Sequence, residues 1–183
     1  CEDRYDEIER RIRFPQKASL AEEKQSMEFI NLMERYLVEL EDRLMNFRDV
    51  EYNGFVKTES EIIELFYFKF QDFPLLSRME AVADYFIDEV ETLHDRDLAD
   101  DERELVREKF MKLYATRDLY VIYSQFLKEN GYKGLPKASY EKRKLKYEDV
   151  YPVLYLKYRL FSQQGRSNIK HLVVDEMQDY SRL

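Results

Sequence analysis

Apolar side chains return at spacings of 3, 4, 3, 4 and 3 through Ile30, Met33, Leu37, Leu40, Leu44 and Phe47. An α-helix turns once every ~3.6 residues, so this alternation places all six on one stripe, a heptad seam. Ser19 and Glu22 ahead of it form a capping-box pattern. Together they predict one helix of about 28 residues, about 42 Å long at the helical rise per residue. A stripe of this kind must be covered. It suits a bundle helix packed on neighbours of its own chain or a protruding antiparallel arm, and it is shorter than the three to four heptads of a long coiled coil.

The rest of the chain repeats this character. Its 183 residues contain 4 Gly and 4 Pro, which leaves little material for turns and points to helices with few connections. Residues 1–13 read as a charged surface helix with Ile8 and Ile12 as its contacts, stopping before Phe14-Pro15. Residues 50–57 read as a short strand or turn around Asn53-Gly54. Thr58 or Ser60 can cap a helix through Ile62, Ile63, Leu65, Phe66 and Phe70, whose aromatics on every side predict burial. Pro74 suits the first turn of the next helix, carrying Met79, Val82, Phe86, Val90 and Leu93. Asp100 or Asp101 starts a helix through Leu105, Phe110 and Leu113. Thr116 can cap one through Leu119, Ile122 and Phe126, closed by Asn130-Gly131. A basic linker over 131–146 precedes a last helix over 147–162, with Val150, Val153, Leu154, Tyr158 and Phe161 as its apolar positions. Ile169 to Val174 is an apolar run suited to a buried strand.

Charge narrows the function classes. There are 30 basic and 38 acidic residues, a formal charge of −8, whereas proteins that hold DNA through its phosphates usually carry the opposite sign. Residues 84–104 carry ten acids and two bases, Arg96 and Arg103. This is a solvated face, or an acidic surface that competes with nucleic acid for a basic channel. The cations of 137–146 read as a solvated linker or as phosphate contacts. The 15 Tyr and 12 Phe fall mostly at helical spacing, which favours core over base-stacking platforms. The single cysteine, Cys1, excludes an internal disulfide, and the distant His94 and His171 argue against a histidine metal site. No apolar run approaches the ~20 residues that span a bilayer, so no membrane partner and a cytoplasmic location are expected. A first residue other than Met suggests a piece of a longer protein.

Chemistry concentrates at Ile169-Lys170-His171-Leu172-Val173-Val174-Asp175-Glu176-Met177-Gln178-Asp179. Leu172, Val173 and Val174 do not alternate, as suits a strand buried on both faces of a parallel sheet. Two acids follow at its carboxyl end, where open α/β sheets bind ligands. Nucleotide hydrolysis needs two carboxylates there. One compensates a nucleotide-bound Mg²⁺, usually through water, and the other orients the attacking water.

These residues resemble the second helicase motif of UvrD/Rep-class motors, an apolar strand followed by Asp-Glu-x-Gln-Asp. The resemblance implies that Asp175 is the Mg²⁺-side carboxylate and Glu176 the catalytic one. It also implies that Gln178 and Asp179 link the nucleotide site to the rest of the motor, Gln178 on the catalytic side and Asp179 on the cofactor side. The approach Lys146-Tyr147-Glu148-Asp149-Val150 through Tyr155-Leu156-Lys157-Tyr158 narrows the likeness to HelD-type motors, ATP-driven proteins that act on bacterial RNA polymerase. The close match covers about 35 residues, the upstream ~145 being alike only in character, helical, charged and aromatic.

The expected fold is mainly α: a helical insertion over 1–146 with a minor β element, then 147–183 as part of a RecA-like α/β motor domain. The resemblance implies ATP and Mg²⁺ as cofactors of the parent protein. RNA polymerase is the favoured partner, with DNA reached through the full-length motor. The alternative is a DNA-translocating UvrD/Rep helicase whose helical part touches DNA. No Gly-x-x-x-x-Gly-Lys-Ser/Thr phosphate loop occurs in the sequence, so this chain alone is expected to bind no cofactor and to be inactive.

Overall fold

The computed structural model describes residues 20–161, the side chain of Ala21 excepted. The chain is mainly helical with a small antiparallel sheet, as its periodicity predicts. The described residues divide into two compact units, one formed by residues 20–45 with 114–158, the other by residues 46–113 with 159–161.

In the first unit, α1 (Leu20–Lys24) is followed by α2 (Met27–Arg43). The long helix expected from the seam is therefore two helices. Ser26 causes the break: its backbone is extended and its hydroxyl accepts the Phe29 N–H at 3.2 Å, so it serves as the N-cap of α2. The buried stripe is Phe29, Met33, Tyr36, Leu37, Leu40 and Leu44, with Phe29 where Ile30 was expected. Phe47 at the end of the seam lies beyond the helix.

The stripe packs on α6 (Leu119–Glu129), which buries Ile122, Tyr123, Phe126 and Leu127. Phe126 meets Phe29 edge-on at 5.3 Å and Tyr36 at 5.4 Å, and Phe29 also meets Tyr132 at 5.4 Å. Such pairs contribute about 0.5–1.5 kcal/mol each beyond burial. The seam is thus covered within its own unit, as a bundle helix requires. Asp118, not Thr116, caps α6, accepting the Tyr120 N–H at 3.0 Å; the Thr116 hydroxyl accepts the Asp118 N–H instead.

A connecting segment with one 3₁₀ turn (Tyr140–Lys142) leads to α7 (Tyr147–Phe161). Pro152 sits in its second turn, and Asp149, Pro152, Leu156 and Leu160 form its buried line. Val150, Leu154 and Tyr158, expected on the apolar face, are exposed. The helix is apolar nearly all round, so periodicity alone did not fix its inner face.

The second unit begins with a hairpin, β1 (Val50–Tyr52) paired antiparallel with β2 (Phe55–Lys57), Glu51 opposite Val56. Asn53 (φ 48°) and Gly54 (φ 82°) both have positive φ, the requirement of a two-residue turn that matches strand twist. Thr58 caps α3 (Glu59–Glu64) in a full capping box with Glu61. The helix widens into a π segment, Leu65–Lys69, closed by the Phe70 N–H on Leu65 O at 2.9 Å. Phe66 is buried there, but Phe68 is exposed, so this stretch is not enclosed on every side as expected.

The helix α4 (Leu75–His94) follows Pro74 and buries Met79, Val82, Phe86 and Val90, while Leu93 is exposed. It ends at Asp95 in the left-handed region, φ 50°. Next comes α5 (Asp100–Met111), which buries Val106 and Phe110 and leaves Leu105 half-exposed. Phe86 and Phe110 meet at 5.5 Å in the core between these two helices.

Candidate functional site

Asp175, Glu176, Gln178 and Asp179 lie outside the described residues, as do His171, the strand Ile169–Val174 and the helix expected over 1–13. The polar constellations of residues 20–161 can be built from their elements.

The first lies inside the first unit. Asp149, on the buried line of α7, is 2% exposed. Its Oδ1 accepts the Lys24 Nζ proton at 2.5 Å and the Tyr123 hydroxyl at 2.8 Å. A carboxylate removed from water is stable only when paired and hydrogen-bonded. Here α1 supplies the cation and α6 the hydroxyl, so one acid ties three helices. Burial first, then the bond to Asp149, pushes the Tyr123 hydroxyl well above its ordinary titration range. The group is enclosed and every member is committed, so it holds helices rather than exchanging protons with a substrate. The sequence carried its signal: Asp149 is in line with Pro152, Leu156 and Leu160 at helical spacing.

The second lies in the second unit. Arg78 is buried on α4; its Nε donates to Phe73 O at 3.2 Å and its Nη2 to Gln71 O at 3.1 Å, with the guanidinium 4.8 Å from the Phe66 ring centre. It fixes the turn between the π segment and α4. Nearby, Lys57 is buried in an ion pair with Glu89. Lys69 Nζ lies 4.0 Å from the centre of the Tyr85 ring. These groups line a groove of about 550 Å³ with Phe68, Glu61 and Glu64. Its mixed charge selects no ligand sign.

The acidic stretch resolves into two classes of carboxylate. Asp84 holds Arg107 at 2.8 Å, and Glu91 holds Arg103 at 2.7 Å and accepts the Leu98 N–H. Glu102 accepts the Ala99 N–H at 2.9 Å, both outer nitrogens of Arg96 and the Tyr52 hydroxyl. Those bonds, the Ala99 N–H first, hold its carboxyl below the ordinary range. These acids brace the connection between α4 and α5. Asp88, Asp95, Asp97, Asp100 and Asp101 are exposed and have no ion pair among the described residues. The outward negative face is therefore smaller than ten acids suggest.

The third constellation is a cleft of about 560 Å³ in the first unit, between α6 and the segment after it. Tyr120, Val121, Leu135 and Pro136 give it apolar walls, and Lys128, Lys137 and Arg143 bring cations to it. Asp118 holds Arg143 at 2.5 Å, and the Tyr120 hydroxyl donates to Pro136 O at 2.8 Å, fixing the segment's path.

Among the described residues no group of three or more His, Cys, Asp or Glu side chains is placed to hold a metal ion. No helix among them is long and apolar enough to cross a membrane. His94 packs its ring edge-on against Phe55 at 4.7 Å. Compared with family models, curated proteins and solved structures, the chain matches none of them.

Proposed function

We propose that this chain is part of an ATP-driven helicase-like motor of the HelD type, its helical units forming a module that contacts RNA polymerase. The observation that carries the reading is the run from Ile169 to Asp179, an apolar stretch leading into Asp175-Glu176-Met177-Gln178-Asp179. In this proposal Asp175 stands behind Mg²⁺ through water, and Glu176 orients the water that attacks the γ-phosphate of ATP. Gln178 and Asp179 pass the state of the nucleotide to the rest of the motor. The exposed acids Asp88, Asp95, Asp97 and Asp101 support a protein partner with a basic channel, since they repel phosphates. A cytoplasmic location belongs to the same proposal. The runner-up, a UvrD/Rep DNA motor with the helical part on DNA, draws support from the cations of residues 137–146.

The decisive test uses the protein together with its phosphate loop. Glu176→Gln should lower ATP turnover by about 10²-fold or more while ATP still binds. Asp175→Ala should weaken the Mg²⁺-dependent part of binding. Small and equal effects at both positions would reduce the motif to a surface turn. Paired titrations at low salt, with core bacterial RNA polymerase and with duplex DNA, test the partner. Polymerase binding that falls on charge reversal at Asp88 and Asp97 supports the module; duplex binding unaffected by those reversals, without polymerase binding, removes it.

A further inference from the structure

The cleft beside α6 and the basic segment that follows carry features the polymerase reading does not use. Tyr140 is 84% exposed, although a tyrosine ring normally gains by burial. Its ring is not loose: the Arg143 guanidinium lies 5.6 Å from its centre and 4.8 Å from that of Tyr120. Arg143 is itself held by Asp118 at 2.5 Å and by its Nε on Ala138 O at 3.3 Å. The result is a presented aromatic face with a fixed cation beside it, at the edge of an apolar-walled cleft of about 560 Å³. That volume falls within the ~300–1,000 Å³ of small-ligand sites and accommodates a nucleobase.

The charges around it are mainly positive, with Glu141 the one acid of residues 131–146. Lys137, Lys142 and Lys144 are exposed and have no carboxylate partner among the described residues. Lys128 reaches the same cleft, its stem lying over Gly134, where a Cβ would collide with it. The two acids at the ends of α6 are occupied. Arg43 takes both oxygens of Glu129 at 3.1 and 3.2 Å, which lowers that carboxyl's pKa, and Asp118 is taken by Arg143. So a local positive surface exists on a chain of net charge −8.

An acidic peptide would use the lysines but not the open ring, and a duplex hides its base faces. A single strand offers phosphates and unstacked bases together, and stacking on an aromatic is sequence-tolerant. We propose that the cleft of Tyr120, Val121, Pro136 and Arg143, with Tyr140 as a stacking platform and Lys137, Lys142 and Lys144 on the phosphates, binds single-stranded nucleic acid.

The test is fluorescence anisotropy of the whole chain with a labelled oligothymidylate of about 12 nucleotides, within the span of known single-strand sites. Duplex DNA, polyglutamate and phosphatidylserine vesicles serve as competitors. Binding should weaken linearly with log salt, and Lys142→Gln with Lys144→Gln should flatten the slope by about 1.4, at ~0.7 per single-strand phosphate contact. Tyr140→Ala should weaken binding about fivefold or more with the slope unchanged. Its exposure separates this loss from misfolding, and an unchanged circular dichroism melt confirms that. Absence of single-strand binding at about 50 mM salt, a Tyr140→Ala protein that binds like the parent, or equal competition by vesicles or polyglutamate would each overturn the proposal.

Discussion

In the first unit the ion pair Lys24–Asp149 lies inside, with side chains 6% and 2% exposed. In the second, Arg96, Arg103 and Arg107 sit at the rim of α4 and α5, each partly exposed and each on an acid. Similar residue types therefore do different work. An enclosed pair has no water to replace a lost partner, so it fixes one arrangement of helices and punishes its disruption. A rim pair exchanges with solvent, and each adds about 0–1 kcal/mol. Apart from the buried Lys57, on Glu89, and Arg78, on backbone carbonyls, the second unit relies on its apolar interior, Met79, Val82, Phe86, Val106 and Phe110, all at most 2% exposed. Abundance of charge in a sequence therefore says little about where charge matters.

The largest effect should follow from removing the enclosed carboxylate. Asp149→Ala strands Lys24 and deprives Tyr123 of its acceptor, which should cost about 3–5 kcal/mol. Asp84→Ala, which releases Arg107 at the rim of the second unit, should cost less than about 1 kcal/mol. Denaturant unfolding of the two proteins gives the contrast directly. Equal losses would show that the inner pair is as replaceable as the outer ones.

The response to base sharpens the same comparison. In the first unit, burial pushes the Tyr36 and Tyr132 hydroxyls up to about 12, and Tyr123 upward as well. In the second, burial raises Tyr52. An unfolded tyrosine titrates near ~10. The unfolded chain thus gives up these protons first. The stability they contribute is fully present below pH ~10 and is lost as pH rises towards 12. Spectrophotometric titration of the 15 tyrosines should show a late group whose ionisation coincides with loss of helical circular dichroism. Titration of all tyrosines together near pH ~10, without loss of helix, would break the account.

Much of the fold was legible because its signals are local. The Asn53-Gly54 turn, the cap at Thr58, the entry at Pro74 and the exit at Asn130-Gly131 each follow from the preference of one or two residues. The seam was readable as a covered stripe, but its length was not. Ser26 ends one helix and starts another with a single hydroxyl, and Ser19 with Glu22 offered a competing cap seven residues upstream of Ser26. The inner face of α7 was misjudged for a different reason. An apolar helix has several equivalent faces, and its partners, Lys24 and Tyr123, lie 125 and 26 residues away in sequence. The described polar clusters were likewise missed because their members come from separate elements. The proposed nucleotide motif stands apart, since its residues are contiguous in sequence and lie beyond Phe161.

The smallest contrast is between two helix caps, one in each unit. Thr58 caps α3 by accepting the Glu61 N–H, while the Glu61 carboxylate accepts the Thr58 N–H at 2.8 Å. Both partners are exposed, and the exchange serves only the first turn of one short helix. Thr58→Ala should therefore cost about 1 kcal/mol, the ordinary value of a cap. Asp118 caps α6 with one oxygen and holds Arg143 with the other. Asp118→Ala removes the cap and also the charged partner of the guanidinium that fixes the segment carrying Tyr140, leaving its Nε bond to Ala138 O. Its stability cost should exceed that of Thr58→Ala by less than about 1 kcal/mol, since the ion pair is part-exposed. Its structural effect should be larger: amide hydrogen exchange across residues 136–143 should accelerate, while Thr58→Ala leaves that segment unchanged. If Asp118→Ala lowers the unfolding free energy but exchange at 136–143 stays slow, the Asp118–Arg143 pair is not the anchor of that segment, and the order around Tyr140 comes from the Tyr120 hydroxyl on Pro136 O, the Leu135 N–H on Ser124 Oγ and the turn's own backbone bonds.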